Sequence, residues 1–261
     1  MALVKKRSTL KVWGDVIFAI FLREIKSSFN DKLGIAWSVI SPVAFIFMLA
    51  YIRGRMDGGE THTIPTFFFM LFGILLVQFF LGLVGKVSEA IRKNKQLYAF
   101  RQVQPISSII AVASFELLVK IFIIMTLAMI CFFLKMDINI YDPTLVIFNF
   151  FRVWLFSTSI ATLIALAICY VPEVKKIQRL AMRPMFFISG IFFSLQDIPQ
   201  EYWHYLTWNP LLHAVELTRY AAYPSYGDAG VSYLYLDIFT LTSIFFALAC
   251  YHISWKQAIS R

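Results

Sequence analysis

Charged residues are scarce in this 261-residue chain. Asp, Glu, Lys and Arg make up 15% of it, against about a quarter in an ordinary soluble domain. Cysteine is scarcer: Cys131, Cys169 and Cys250 each sit inside an apolar run, with no C-x-x-C among them. That excludes a disulfide framework and leaves three buried thiols. The four histidines, His62, His204, His213 and His252, form no H-E-x-x-H or other metal spacing. No G-x-S-x-G elbow occurs, so the nucleophilic serine of a hydrolase is missing. No G-x-x-x-x-G-K-[ST] phosphate loop occurs; the nearest string, Gly82-Leu83-Val84-Gly85-Lys86, has the wrong spacing. Apolar runs hold no carboxylate pair at helical spacing. There is no internal repeat and no low-complexity linker. A cleavable signal is not expected, because the first apolar run, 17–22, is short and meets Arg23 and Glu24 at once. Covalent chemistry and ATP hydrolysis on this chain are therefore excluded, although an ATPase on another chain could still move it.

What is abundant is apolar surface: 59% of residues are hydrophobic and the mean hydropathy is +0.71. Five segments, about 34–52, 67–85, 106–134, 144–170 and 232–253, each reach the ~20 residues that cross a bilayer as a helix. A further apolar stretch, 184–195, is too short to cross unless residues 180–182 join it and Arg183 snorkels. The expected fold is all-α and polytopic, with six transmembrane helices. Lys and Arg alternate accordingly: residues 1–33 carry seven, 86–105 five, 171–183 four and 254–261 two, whereas 53–66 carry two, 135–143 one and 196–231 one. By the positive-inside rule both termini are cytoplasmic. One transmembrane domain is expected. Residues 1–33 form a cytoplasmic amphipathic segment and 34–195 hold spans one to five. Residues 196–231 lie outside, 232–253 form span six, and 254–261 are a cytoplasmic tail. The net charge of +9 is then topological. It faces anionic lipid or an acidic partner, not nucleic acid.

Apolar residues in the N-terminal segment recur at three-to-four spacing, at Val12, Trp13, Val16, Ile17, Ile20 and Phe21, with Lys11, Asp15, Arg23 and Lys26 between them. That pattern suits a helix lying in the interface plane. A charged turn follows at 29–33. Ionisable residues inside spans are costly and mark places of interest. Glu116 and Lys120 stand four apart on one helix face, an order that favours pairing. Arg152 lies about eight residues into the fourth span, too deep to snorkel easily; it either faces a polar pathway or pairs within the bundle. The 27 Phe residues suit lipid contact and packing, yet an aromatic wall also suits sugars, whose C–H faces stack on rings.

Residues 197–228, DIPQEYWHYLTWNPLLHAVELTRYAAYPSYGD, hold seven Trp or Tyr, three Pro, four acids and a single Arg, Arg219. The stretch is too polar to span and too aromatic for an ordinary loop. It reads as two short helices. Asp197 is positioned to cap the first, ahead of Pro199; Asn209 caps the second, with Pro210 at its first position and Pro224 beyond its end. Non-spanning backbone at membrane depth must be buried in protein, so a short fifth span followed by such helices suggests re-entrant outer helices that close the outer end of a pathway. A surface hairpin with Trp anchors is the other reading.

Several of these elements resemble the membrane subunit of ABC-type polysaccharide exporters, in particular the capsular polysaccharide export permeases of Gram-negative bacteria. They are Phe21-Leu22-Arg23-Glu24-Ile25, then Leu33-Gly34 with Trp37 and Pro42; Asn94, Leu97, Phe100 and Pro105; and Tyr202-Trp203 with Trp208-Asn209-Pro210-Leu211, His213 and Val215-Glu216-Leu217. The resemblance covers nearly the whole chain, and the last motif is the most specific. It implies a homodimer in the inner membrane with two copies of a separate ATP-binding subunit, which hold the ATP and Mg, so that no cofactor is expected here. It implies a channel for a lipid-linked polysaccharide, which passes on to periplasmic and outer-membrane capsule export proteins. It also implies that Arg23, Glu24, Glu89, Arg92, Asn94, Leu97 and Phe100 meet the ATPase, while Tyr202, Trp203, Tyr205, Trp208, His213, Glu216 and Arg219 shape the exit. An anionic polymer would favour Arg152 along the way. A permease for O-antigen or teichoic acid shares the layout. A membrane-embedded enzyme of glycan or lipid metabolism needs a polar catalytic cluster, and the sequence offers none.

Overall fold

The computed structural model describes residues 8–29, 34–56 and 59–260; the turn expected at 29–33 lies largely outside them. Among the described residues nine α-helices run in order: α1 (Thr9–Phe29), α2 (Gly34–Met56), α3 (Thr66–Val87), α4 (Ala90–Lys93), α5 (Pro105–Phe133), α6 (Pro143–Tyr170), α7 (Val174–Ile188), α8 (Pro210–Ala222) and α9 (Tyr233–Ser260). A two-residue hairpin, β1 (Glu60–Thr61) against β2 (Ile64–Pro65), joins α2 to α3. Among the described residues five helices are long and apolar enough to cross a membrane: α2, α3, α5, α6 and α9. These are the five segments expected from hydropathy.

Their burial follows their composition. In α3 hydrophobic residues run almost continuously, and side chains from Phe67 to Val87 are buried on nearly every face. A helix apolar all round belongs in the middle, and α3 sits against α2, α5, α6, α7 and α8. The outer helices α2 and α9 leave most of their apolar residues exposed, among them Met48, Ile52, Leu241 and Phe245. Without lipid that would be an unstable surface; in a bilayer it is solvated. Helix α6 carries hydroxyls through this apolar layer and satisfies them internally. Thr158, Ser159 and Thr162 donate to the carbonyls of Trp154, Leu155 and Thr158, at 2.7, 2.9 and 2.7 Å, the local solution available where water is absent.

The apolar stretch 184–195, too short by hydropathy to cross alone, is only partly helical. The helix begins earlier, at Val174, runs through Pro184 and stops at Ile188. Its 15 residues span about 22 Å, less than the ~30 Å hydrocarbon layer. Beyond it the chain unwinds, with Gly190 at φ +74°. A Cβ there would lie 2.7 Å from the Leu212 side chain, so both backbone and space require glycine.

The expected first helix of the 197–228 stretch also differs. Asp197 does not cap a helix that follows it; its carboxylate reaches back, accepting from the Ser194 amide at 2.8 Å, while the Ser194 hydroxyl accepts from the Gln196 amide at 3.2 Å. The next turn, Gln200–Tyr205, is 3-10, not α. The second helix is as expected: the Asn209 side chain accepts from the Leu211 amide at 3.0 Å, Pro210 opens α8, and the helix ends before Pro224.

The bundle has two unlike ends. One carries α4, the start of α5 and the end of α9, joined where the Ile106 amide donates to the Tyr251 hydroxyl at 3.2 Å. The other carries the hairpin, the 189–231 region and the start of α6, where the amides of Tyr141 and Asp142 donate to the last carbonyls of α8, each at 3.0 Å.

Candidate functional site

At the second end, Arg219 is fully enclosed, with no exposed side-chain surface. Its guanidinium donates five hydrogen bonds. Nε and Nη2 both reach the Phe69 carbonyl of α3, at 3.2 and 3.1 Å. Nη2 also reaches the Ile191 carbonyl at 3.2 Å, and Nη1 the Phe193 carbonyl at 3.4 Å. Nη1 meets the Glu216 carboxylate at 3.0 Å. The ring of Phe69 lies 3.4 Å from the guanidinium carbon, a cation–π contact. The unwound segment has lost its helical partners, and Arg219 supplies donors to its carbonyls. Room for this comes from α3: a Cβ on Gly73 would stand 2.9 Å from Arg219 Nη2 and 3.1 Å from the Ile191 Cα.

The second oxygen of Glu216 is also occupied. It accepts from the Tyr226 hydroxyl at 2.7 Å and from Ser194 at 3.4 Å. Burial pushes the Tyr226 hydroxyl well above its ordinary value, so it stays protonated. His213 is 3% exposed; one ring nitrogen lies 2.8 Å from the Thr207 carbonyl and the other accepts from the Ser232 amide at 3.0 Å. His62 on the hairpin pairs with Asp197 at 2.6 Å. His213, Glu216 and Arg219 therefore sit inside the protein. Tyr202, Tyr205 and Trp208 are exposed at 54, 64 and 56%. Trp203 is half-buried, donating to the Ile198 carbonyl at 2.7 Å and packing over Gly230.

Arg152 pairs within the bundle. It grips Asp237 of α9 with two bonds, of 2.6 and 3.1 Å, and donates to Asn149 at 2.9 Å. The Tyr233 ring lies 5.4 Å away. Sequence reasoning missed Asp237 as its partner; the acid in an otherwise apolar run was the signal.

At the first end, polar contacts join separate elements. Glu24 of α1 accepts from Lys93 of α4 at 2.7 Å, and Arg23 donates to Asn94. Asn94 itself is buried and caps back onto the Ala90 carbonyl at 2.8 Å. Glu89 meets Lys175 of α7 at 2.7 Å. Gln178 of α7 donates to the Val84 carbonyl and to Ser88, at 3.1 and 3.0 Å. Leu97 is half-buried; Arg92 and Phe100 are exposed. Tyr98 donates to Ser108 at 2.9 Å, and burial raises its hydroxyl well above the ordinary range. The expected Glu116–Lys120 ion pair is not formed: Glu116 accepts from Lys86 of α3 at 2.6 Å instead.

The described residues form a bundle with five membrane-length helices, charged at one end and carrying an aromatic element at the other. Among the described residues no three His, Cys, Asp or Glu are grouped to hold a metal. Residues 15–223 match the ABC-2 type transporter family, and the chain belongs to it. It is 33% identical over 246 residues to the polysialic acid transport protein KpsM of Escherichia coli, covering 94% of this chain and 95% of that protein. Weaker likeness extends to the capsule polysaccharide export inner-membrane protein CtrC of Neisseria meningitidis, 25% identical over 84% of this chain and 82% of the relative. The corresponding BexB of Haemophilus influenzae is 22% identical over 87% of this chain and 85% of the relative.

Proposed function

We propose that this chain is the membrane subunit of an ATP-driven exporter that carries a lipid-linked capsular polysaccharide across the inner membrane. Two copies form the conduit and two copies of a separate ATP-binding subunit drive it. Support comes from family membership and from full-length likeness to a polysialic acid transport protein. The structural observation that carries the reading is the aromatic element 189–231, locked to the bundle through Arg219 while Tyr202, Tyr205 and Trp208 stay exposed. Rings held on a rigid base suit many weak stacking contacts with sugars, each about 1 kcal/mol by analogy with ring pairs.

In this reading the fifth crossing is composite. Helix α7 rises part-way, the 189–197 segment completes the depth, and α8 re-enters before α9 returns. Both termini are cytoplasmic, and α1 with α4 and residues 95–100 presents Arg92, Leu97 and Phe100 to the ATPase. Downstream, the polymer passes to periplasmic and outer-membrane proteins. Two experiments test this. The chain should co-purify with a P-loop ATPase that lacks membrane spans. A deletion strain should accumulate polymer inside the cell; normal surface capsule in that strain overturns the cargo.

A further inference from the structure

Beside the Lys86–Glu116 pair is a cavity of about 140 Å³ lined by Gln78, Phe79, Gly82 and Lys120 as well as by the pair. Lys86 and Glu116 also line a neighbouring cavity of about 320 Å³, together with Glu24, Glu89 and Lys93. The smaller cavity is a crevice between α3 and α5, with Pro42 of α2 at its edge. Four residues separate Glu116 from Lys120, so Lys120 lies about 6 Å deeper.

Lys120 is the anomaly in this crevice. Its residue is 6% exposed. The one carboxylate that shares its cavity, Glu116, is engaged by Lys86 at 2.6 Å. Among the described residues no carboxylate lies within ion-pair distance of Lys120, and its closest recorded partner is the Phe79 ring, 5.7 Å from the ammonium. An enclosed ammonium that shares its one nearby carboxylate with a second lysine, and makes no direct ion pair, is costly. In the wall of this smaller cavity two ammonium groups, of Lys86 and Lys120, face the single carboxylate of Glu116, an excess of one positive charge. The α3 side is also empty: a Cβ on Gly82 would meet nothing within 4 Å.

We propose that this crevice binds the phosphate headgroup of an anionic lipid, with Lys120 and Lys86 as its counter-ions and the amide of Gln78 as a further donor. A phosphate diester has the charge the wall lacks and needs only a narrow slot. Its acyl chains extend along the exposed apolar residues of α5, Ile121, Phe122 and Met125. The headgroup belongs either to a bulk phospholipid or to the anchor of the transported polymer. The inference depends on α3 and α5 crossing the membrane, not on the cargo.

The test isolates the full chain with its ATP-binding partner in mild detergent and measures co-purifying lipid by phosphorus content and headgroup mass. Wild type retains anionic phospholipid. Lys120→Met lowers the retained amount about fivefold, the worth of one lysine contact to an anionic headgroup, and Lys120→Arg restores it. Gly82→Leu, which fills the slot without changing charge, lowers it as well and carries the test should Lys120→Met misfold. Equal anionic lipid in wild type, Lys120→Met and Gly82→Leu overturns the proposal, as does retention of zwitterionic lipid alone. Preparing the complex from cells with and without the polysaccharide separates the sources. Retention in both marks a bulk phospholipid and retention only with polymer marks its anchor; either result supports the site. Because the readout is lipid, its failure is distinct from a failure of the export reading, which shows in the deletion strain.

Discussion

The two ends of the molecule hold themselves together in opposite ways. At the charged end, ion pairs link α1 to α4, α3 to α5 and Glu89 to α7, and each keeps one partner in reach of solvent: the Lys93 side chain is 55% exposed and Lys86 56%, although their partners Glu24 and Glu116 are buried, and Lys175 is 33% exposed. Pairs of this kind contribute little to stability, about 0–1 kcal/mol each. At the aromatic end, Arg219 and Glu216 are removed from solvent altogether, and both are fully occupied. Such an arrangement adds little when whole, yet losing one partner leaves a bare charge in the interior. One end is therefore adjustable, which suits the proposed contact with a moving motor. The other is all-or-none, which suits the proposed frame of an exit.

Removing Arg219 breaks that contrast most severely. Arg219→Met should destabilise the protein by about 3–5 kcal/mol, because Glu216 and three carbonyls lose their donors together. Thermal unfolding of the purified protein will read this as a sharp fall in midpoint, and an unchanged midpoint refutes the frame. Arg219→Lys should fail to rescue, since one ammonium cannot span the Phe69, Ile191 and Phe193 carbonyls.

Gly190→Ala comes next. The positive φ and the Leu212 contact act together, at a cost of about 1–3 kcal/mol. Limited proteolysis at 189–197 should accelerate. Tyr226→Phe is milder. It removes a donor from Glu216 while keeping the ring, for about 1–2 kcal/mol, measured by the same unfolding assay.

The smallest stability effects belong to the charged end and to the exposed rings. Glu24→Gln should change unfolding by no more than about 1 kcal/mol, yet weaken this chain's stimulation of the partner subunit's ATPase. Should it instead destabilise as strongly as Tyr226→Phe, the proposed contrast between ends is wrong. Trp208→Ala should leave folding unaltered and slow export. A double substitution of Glu24 and Trp208 should then be additive in stability, since the sites share no partners.

Much of this was legible in advance. Five spans could be read from unbroken apolar length, and the Asn209-Pro210 start of α8 from cap chemistry, because both depend on neighbours in sequence. Arg152 stood out as a charge in the wrong place, but its partner Asp237 lies 85 residues away. Glu116 pointed toward Lys120 by helical spacing, and the structure turned it to Lys86, where α3 comes close enough to offer a more accessible ammonium. The stretch 184–195 looked like a short span because hydropathy counts side chains and says nothing of which backbone groups find donors elsewhere.

Sequence alone determined that this chain enters a membrane as helices, since apolar runs of that length have no other way to satisfy their backbone in lipid. It also marked residues 197–228 as something other than a crossing. Only the tertiary structure decided that Arg219 is a clasp. Four of its five hydrogen bonds reach carbonyls from α3 and from the unwound chain, and no local rule brings those oxygens to one point.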